Sequence, residues 1–266
     1  EGVNSIISIK GDLKKNGSIK FESISLEENK NKILINNLEL SPTFKINNIG
    51  SFNADYKNNK NIVNKLSLKK DNSNFILDGD SFDAAKIINN IMDSDDKDSS
   101  IFQKLNTKIN LKIKKTYIDE VNYLNNLSGY INFKDNKIND LKLDSVFPNN
   151  KTINLMINTN AAQETTTRLF TEYPKPLIKR YNFIKGFEEG YLDFNSIKKD
   201  NISNSILVID DFKVQEVPIF AKLLSLASLQ GIADILTGEG IRFTDLEMKF
   251  SNQKGLTTIE EMYAIG

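Results

Sequence analysis

The sequence predicts a mainly β protein, a long antiparallel sheet interrupted by about three short helices. Two observations carry that expectation. Apolar residues recur at every second position through much of the chain, and Asn-, Lys- and Gly-rich clusters separate the alternating stretches. Ile109, Leu111 and Ile113 alternate with Lys108, Asn110, Lys112 and Lys114. Ile153, Leu155 and Ile157 alternate with Asn154, Met156 and Asn158, and Leu246, Met248 and Phe250 with Glu247 and Lys249. The pairs Ile19 and Phe21, Ile33 and Ile35, Ile131 and Phe133, and Leu141 and Leu143 repeat the theme. Each reads as a strand with one apolar face and one wet face. Turn clusters fall at Lys15-Asn16-Gly17, Glu28 to Asn31, Lys57 to Lys60, Asp135-Asn136-Lys137, Asn149-Asn150 and Asn252 to Gly255. They recur about every 10 to 20 residues, which suits antiparallel hairpins, because parallel strands need crossover connections. Roughly fifteen strands follow from the pattern.

Helical signals are few. Phe82, Ala85, Ile88 and Met92 fall at helical spacing after Asp80-Ser81, which can cap the start. The acidic run Asp93 to Asp98 ends that helix and links two halves, placing domain limits at 1–98 and 99–266. Glu164 to Lys179 reads as a helix broken at Pro174 and Pro176. The third helix begins at Pro218, runs to about Leu236 and stops at Gly238 and Gly240. If the apolar strand faces pack on a second sheet, the fold is a sandwich. If they remain partly open, they form an elongated apolar groove.

Composition narrows the function. The 266 residues hold 35 basic and 35 acidic side chains, so no net charge draws the chain to nucleic acid. There is no His, Cys or Trp, which removes imidazole acid–base chemistry, thiol nucleophiles, disulfides and the usual zinc ligands. No metal or cofactor is called for, and the inventory argues against an enzyme. No stretch approaches the ~20 apolar residues of a spanning helix. There are 35 Asn and 34 Ile, and 32 Lys against 3 Arg. That bias reads as codon pressure from an AT-rich genome, with much of the Asn and Lys as solvated filler. The chain starts at Glu1 without an initiator Met and ends in what reads as mid-strand, as expected for a segment of a longer protein.

Several local features have plain readings. The 218–236 helix is apolar nearly all round, with Lys222, Gln230 and Asp234 its main interruptions. Such a helix plugs one end of a β core, or gates a groove, or docks on a membrane or partner. It is a poor spanning helix, since two charges would enter hydrocarbon at ~2.5–3.5 kcal/mol each. The Asp93, Asp95, Asp96 and Asp98 run lacks the glycine and distal glutamate of a calcium loop. Asp210-Asp211 ends one strand and begins the next, and Glu260-Glu261 is similar. Both pairs read as exposed. Gly238-Glu239-Gly240 is a turn, too short for a phosphate loop. Arg242 either pairs with Glu239 or Asp245 on the surface or binds a headgroup phosphate.

A longer block carries a resemblance. The strand Ile206-Leu207-Val208-Ile209-Asp210-Asp211-Phe212 leads to Val217-Pro218 and then Ala221-Lys222-Leu223-Leu224-Ser225-Leu226-Ala227-Ser228-Leu229. It continues through Gly231 to Leu236-Thr237-Gly238-Glu239-Gly240-Ile241-Arg242-Phe243. This resembles the C-terminal region of the AsmA-like family, in its YhdP/TamB-related branch of bridge-like lipid transfer proteins. Upstream, Leu77-Asp78-Gly79-Asp80-Ser81-Phe82-Asp83-Ala84-Ala85 is similar to the strand, glycine and helix unit that recurs there. Phe187-Glu188-Glu189-Gly190-Tyr191-Leu192 sits where relatives start a strand with two glycines, Glu189 taking the first glycine's place. Asn160-Ala161-Ala162 is a degenerate form of another family element.

The resemblance implies a long curved antiparallel sheet forming an elongated groove. It also implies a Gram-negative periplasmic protein, its parent anchored in the inner membrane and serving outer membrane biogenesis. Its role would be to move phospholipid between the inner and outer membranes without enzymatic chemistry. The partners implied are phospholipid acyl chains, either membrane and other envelope proteins. The alternative is a structural or assembly β-scaffold of the envelope without lipid conduction. Physics permits the transport reading: exposing about sixteen methylenes to water costs about 13 kcal/mol at ~0.8 kcal/mol each, and an apolar groove removes most of that. The expected lining is Ile109, Leu111, Ile113, Ile131, Phe133, Ile153, Leu155 and Ile157. Phe220, Leu223, Leu224 and Leu236 would gate one end or meet a membrane or partner, together with Arg242.

Overall fold

The computed structural model describes residues 4–14, 17–88, 104–181, 184–215 and 240–266. The fold is mainly β, as the alternation predicts, and divides into two compact units, Glu1–Pro148 and Asn149–Gly266. The described residues form sixteen strands.

The first unit holds β1 (Ser5–Leu13), β2 (Ile19–Glu28), β3 (Asn31–Leu40), β4 (Ile46–Asn48) and β5 (Ser51–Lys57). It continues with β6 (Val63–Asp71), β7 (Asn74–Asp83), β8 (Thr107–Tyr117), β9 (Tyr123–Lys134) and β10 (Lys137–Val146). Their order in the open sheet follows the chain, with the short β4 pairing β3 off the main path. Register shifts in the β1–β2, β6–β7 and β9–β10 ladders are places where bulges bend the strands.

One pairing departs from the antiparallel expectation: β7 and β8 run parallel. Residues 84–106 separate them, enough chain to cross back over the sheet, and residues 85–88 are helical. The capping residue also differs from the expected Asp80-Ser81. The strand runs on to Asp83, whose Oδ1 accepts the Ala85 N–H at 3.1 Å, and Phe82 belongs to β7. Met92 and the Asp93–Asp98 run lie outside the described residues.

The second unit holds β11 (Thr152–Thr159), β12 (Thr165–Thr171), β13 (Phe187–Lys199), β14 (Ile202–Val214), β15 (Ile241–Gln253) and β16 (Leu256–Ile265). They pair in chain order, all antiparallel. The helix expected over Glu164 to Lys179 is confined to Lys175–Tyr181. Thr165, Thr166 and Thr167 are β-branched and favour the extended chain, so that stretch becomes β12. Pro176 sits in the helix's first turn, where a missing N–H costs nothing. Asp210 and Asp211 do not separate two strands, since both lie inside β14.

Asparagine is more than filler. Among the described residues, eight of the fifteen non-glycine residues with positive φ are Asn; six of them mark turns, and Asn37 and Asn126 lie inside β3 and β9. Asp135-Asn136 joins β9 to β10, Asp200-Asn201 joins β13 to β14 and Lys254-Gly255 joins β15 to β16, each with two consecutive positive φ values. That is the mirror-image turn whose twist matches a β-hairpin.

Candidate functional site

In the first unit, cross-strand register places an apolar row on one face. Ile9, Ile24, Ile35, Phe52, Leu68, Leu77 and Leu111 follow one another as partners from β1 to β8. Gly129 and Leu143 continue the row onto β9 and β10. A second row, Ile7, Leu26, Ile33, Ala54, Leu66, Gly79, Ile113 and Leu127, lies beside it. From Ile24 to Leu143 the side chains of the first row are half-buried, and Ile9 on the edge strand is exposed. Among the described residues no second layer seals this row from solvent.

The opposite face is charged. Lys65 lies 3.5 Å from Asp55 and 3.9 Å from Asp80, and Lys114 lies 2.8 Å from Asp80. The hydrogen bond from Lys114 holds the Asp80 carboxyl below its ordinary range, and the same bond raises the Lys114 ammonium. A depression of about 560 Å³ opens here, its rim including Lys32, Asp55, Lys65, Asp78, Lys112 and Lys114. Both signs line it, so it selects no single charge.

The expected lining residues fall as follows. Ile109, Leu111, Ile113, Ile131 and Phe133 share one face of the first unit: Ile109 partners Ile131, and Thr107 partners Phe133. Four of them are half-buried, whereas Ile113 is only 2% exposed and belongs to the packed interior. Its row partner Gly79 leaves space over which the Leu66 side chain lies. Ile153, Leu155 and Ile157 share a face of the second unit. Leu155 continues through Leu169, Phe194, Leu207 and Met248, and Ile153 through Thr171, Leu192, Ile209 and Leu246.

That second face is partly a closed core. Ile178 from the helix, Phe187, Leu192, Ile209, Phe212 and Leu246 are buried together, with Phe187, Phe212 and Phe243 stacked at ring distances of 5.4 and 5.2 Å. Phe220, Leu223, Leu224 and Leu236 lie outside the described residues. Glu239 lies outside the described residues, and Arg242 does not pair with Asp245 among them. Its guanidinium bonds Asp211 and reaches Glu189 at 2.7 Å, from β15 to β14 and β13. Glu189 and Asp211 both have left-handed backbone, φ 64° and 49°. No sequence spacing announces a bridge between residues this far apart.

Two features went unread in the sequence. Leu77, Leu68, Phe52, Ile35 and Ile24 extend the Leu111 row across five further strands, a fact fixed by register rather than by any one segment. The other is Lys115. By alternation it shares the face of Leu111 and Ile113. Its Nζ stands 3.8 Å from the Tyr123 ring centre and 4.8 Å from that of Tyr117. The break in alternation at Lys114-Lys115 was the available signal.

Comparisons of the chain with family models, with curated proteins and with solved structures give no match.

Proposed function

We propose that this chain binds lipid acyl chains on the apolar face of its sheet and helps phospholipid pass between the inner and outer membranes of the periplasm by passive shielding. One observation supports this above the rest: a row of half-exposed apolar side chains from β2 to β10, with a charged face behind it. Monomeric proteins rarely leave contiguous apolar surface open without a partner for it. Acyl chains fit such a row because a bilayer and an apolar face are similar solvents, so transfer between them needs no chemical step. The resemblance to AsmA-like lipid transfer proteins points the same way.

Photo-crosslinking tests the reading. A photoreactive residue in place of Leu77 is expected to label co-purifying phospholipid, and one in place of the neighbouring Asp78, on the charged face, is not. Equal labelling at both positions, or none at Leu77, would sink it.

A second reading, an envelope scaffold without conduction, is favoured by two other observations. One end of the second unit is a packed core. Strands β1 and β16 are exposed along their whole length, and each pairs with one neighbour among the described strands, so its other side is open to strand addition there. The same crosslinks would then go to protein rather than lipid.

A further inference from the structure

We infer that Lys115, with Tyr117 and Tyr123, forms an anionic headgroup site at one rim of the first unit's apolar face. The inference rests on the lipid reading above and names the headgroup chemistry that the face selects. Across the middle of β5 to β9 the two rows supply apolar side chains or glycine: Phe52, Leu68, Leu77, Leu111 and Gly129 in one, Ala54, Leu66, Gly79, Ile113 and Leu127 in the other. Lys115 interrupts that face two residues beyond Ile113, about 7 Å along the strand at ~3.3 Å per residue.

A lysine there would ordinarily be neutralised by a carboxylate, and this one has none within 4 Å among the described residues. The acidic groups around it are engaged elsewhere. Asp83, the register partner of Tyr117, accepts from Asn58 Nδ2 at 2.7 Å and from the Ala85 N–H at 3.1 Å. Asp119 accepts the Val121 and Asn122 N–H groups at 2.8 and 2.6 Å, closing the β8–β9 loop. Glu120 lies 2.9 Å from Lys60. What holds Lys115 is aromatic. The Tyr117 and Tyr123 rings stand 5.6 Å apart and tilted by 51°, and the ammonium sits against both. Cation–π contact fixes the position of the charge without neutralising it. Neither tyrosine hydroxyl has a hydrogen-bond partner among the described residues, so each remains available to donate.

An ammonium and two phenol donors beside an apolar surface match a phosphate ester joined to acyl chains. The ammonium meets the phosphate through a charge-assisted bond, and the chains lie back along the Leu111 and Leu127 rows. A neutral headgroup gains none of this, and a free phosphate gains nothing from the apolar rows.

The test compares dioleoyl phosphatidic acid with dioleoylglycerol, which share their chains and differ in the phosphate. Each is titrated into the full 266-residue chain in detergent and read by native mass spectrometry. The expected result is phosphatidate binding about tenfold tighter than the diglyceride. Lys115→Gln removes the preference and leaves diglyceride binding unchanged. Lys115→Arg keeps it, and millimolar inorganic phosphate does not displace the lipid. Equal binding of the two lipids, or a preference that survives Lys115→Gln, overturns the headgroup site while the acyl reading stands. Displacement by inorganic phosphate overturns it in favour of a phosphate site. Failure of both lipids to bind overturns the lipid reading itself. Unchanged circular dichroism and urea midpoint for Lys115→Gln guard against a folding defect, and Lys115→Arg supplies the second variant if they change.

Discussion

Leu111 of β8 stands opposite Gly129 of β9, and Gly129 in turn faces Leu143 of β10, so a glycine interrupts an otherwise apolar row. Its backbone explains why. Gly129 has φ 142°, and a Cβ built on it would collide with the Lys142 carbonyl oxygen. Both the conformation and the space exclude a side chain. Gly129→Ala is expected to destabilise the first unit by about 1–3 kcal/mol, the usual cost of backbone strain at one residue. Urea unfolding measures it, and an unchanged midpoint would show that β9 relaxes without penalty.

Leu111 and Ile113 sit two residues apart on one face, and they are expected to respond differently. Ile113 is 2% exposed, so Ile113→Ala leaves a cavity and costs about 2–5 kcal/mol. Leu111 is half-buried, and Leu111→Ser is expected to cost less than Ile113→Ala while weakening lipid association. Paired urea and lipid-extraction measurements separate the two effects. If both variants lose the same stability, Leu111 belongs to the core as much as Ile113 does.

Asp210 gives the second unit a pH dependence of definite sign. It faces Asp245 across the β14–β15 ladder, with Asp193 on β13. Desolvation of this exposed side chain first, then those two carboxylates, push its carboxyl above the ordinary range. The folded chain therefore holds this proton more tightly than the unfolded chain. The resulting stability is fully present below the unfolded carboxyl's pKa and is lost as pH rises through the raised one. At neutral pH the ionised group is a net cost, and Asp210→Asn relieves it. The gain is a few tenths of a kcal/mol, because exposed like-charge pairs sit at the low end of cross-strand energies. The difference in urea midpoint between variant and parent is expected to be positive at neutral pH and to shrink on acidification. A variant less stable than its parent at neutral pH would contradict this.

Arg242 is expected to be structural. Asp211 and Glu189 occupy its guanidinium, leaving it poorly placed to hold a phosphate. Arg242→Gln should cost no more than about 1 kcal/mol, shrinking in high salt, and should leave lipid association unchanged. Loss of lipid without loss of stability would restore Arg242 to the headgroup role that its position beside a turn suggested.

How much of this was legible beforehand follows from the range over which each signal acts. The alternation at Ile109, Leu111 and Ile113 is local, and it placed β8 and its apolar face correctly. The turns at Asp135-Asn136 and Lys254-Gly255 are also local, because left-handed φ comes readily to Asn, Asp and Gly, and Gly255 marks a turn in which Lys254 adopts it too. The Glu164 to Lys179 stretch misled because two prolines and a later helical turn outweighed the β-branched threonines. Register is not local. Nothing in β8 says that Leu77 will lie beside Leu111 on a parallel strand, and nothing near Arg242 points to Glu189. The difference between buried Ile113 and half-buried Leu111 depends on Leu66 lying over Gly79, a contact across two strands. The alternating pattern therefore showed which residues could line a groove, and packing decided which of them remain open.

The most direct measurement of the central claim is native mass spectrometry with lipid extraction on this chain purified from a Gram-negative periplasm, alongside a Leu77→Glu, Leu111→Glu variant. Phospholipid is expected to be bound to the parent chain at reproducible stoichiometry and to be lost from a folded variant. A parent chain that emerges folded and free of lipid, or a variant that keeps its full complement, would contradict it.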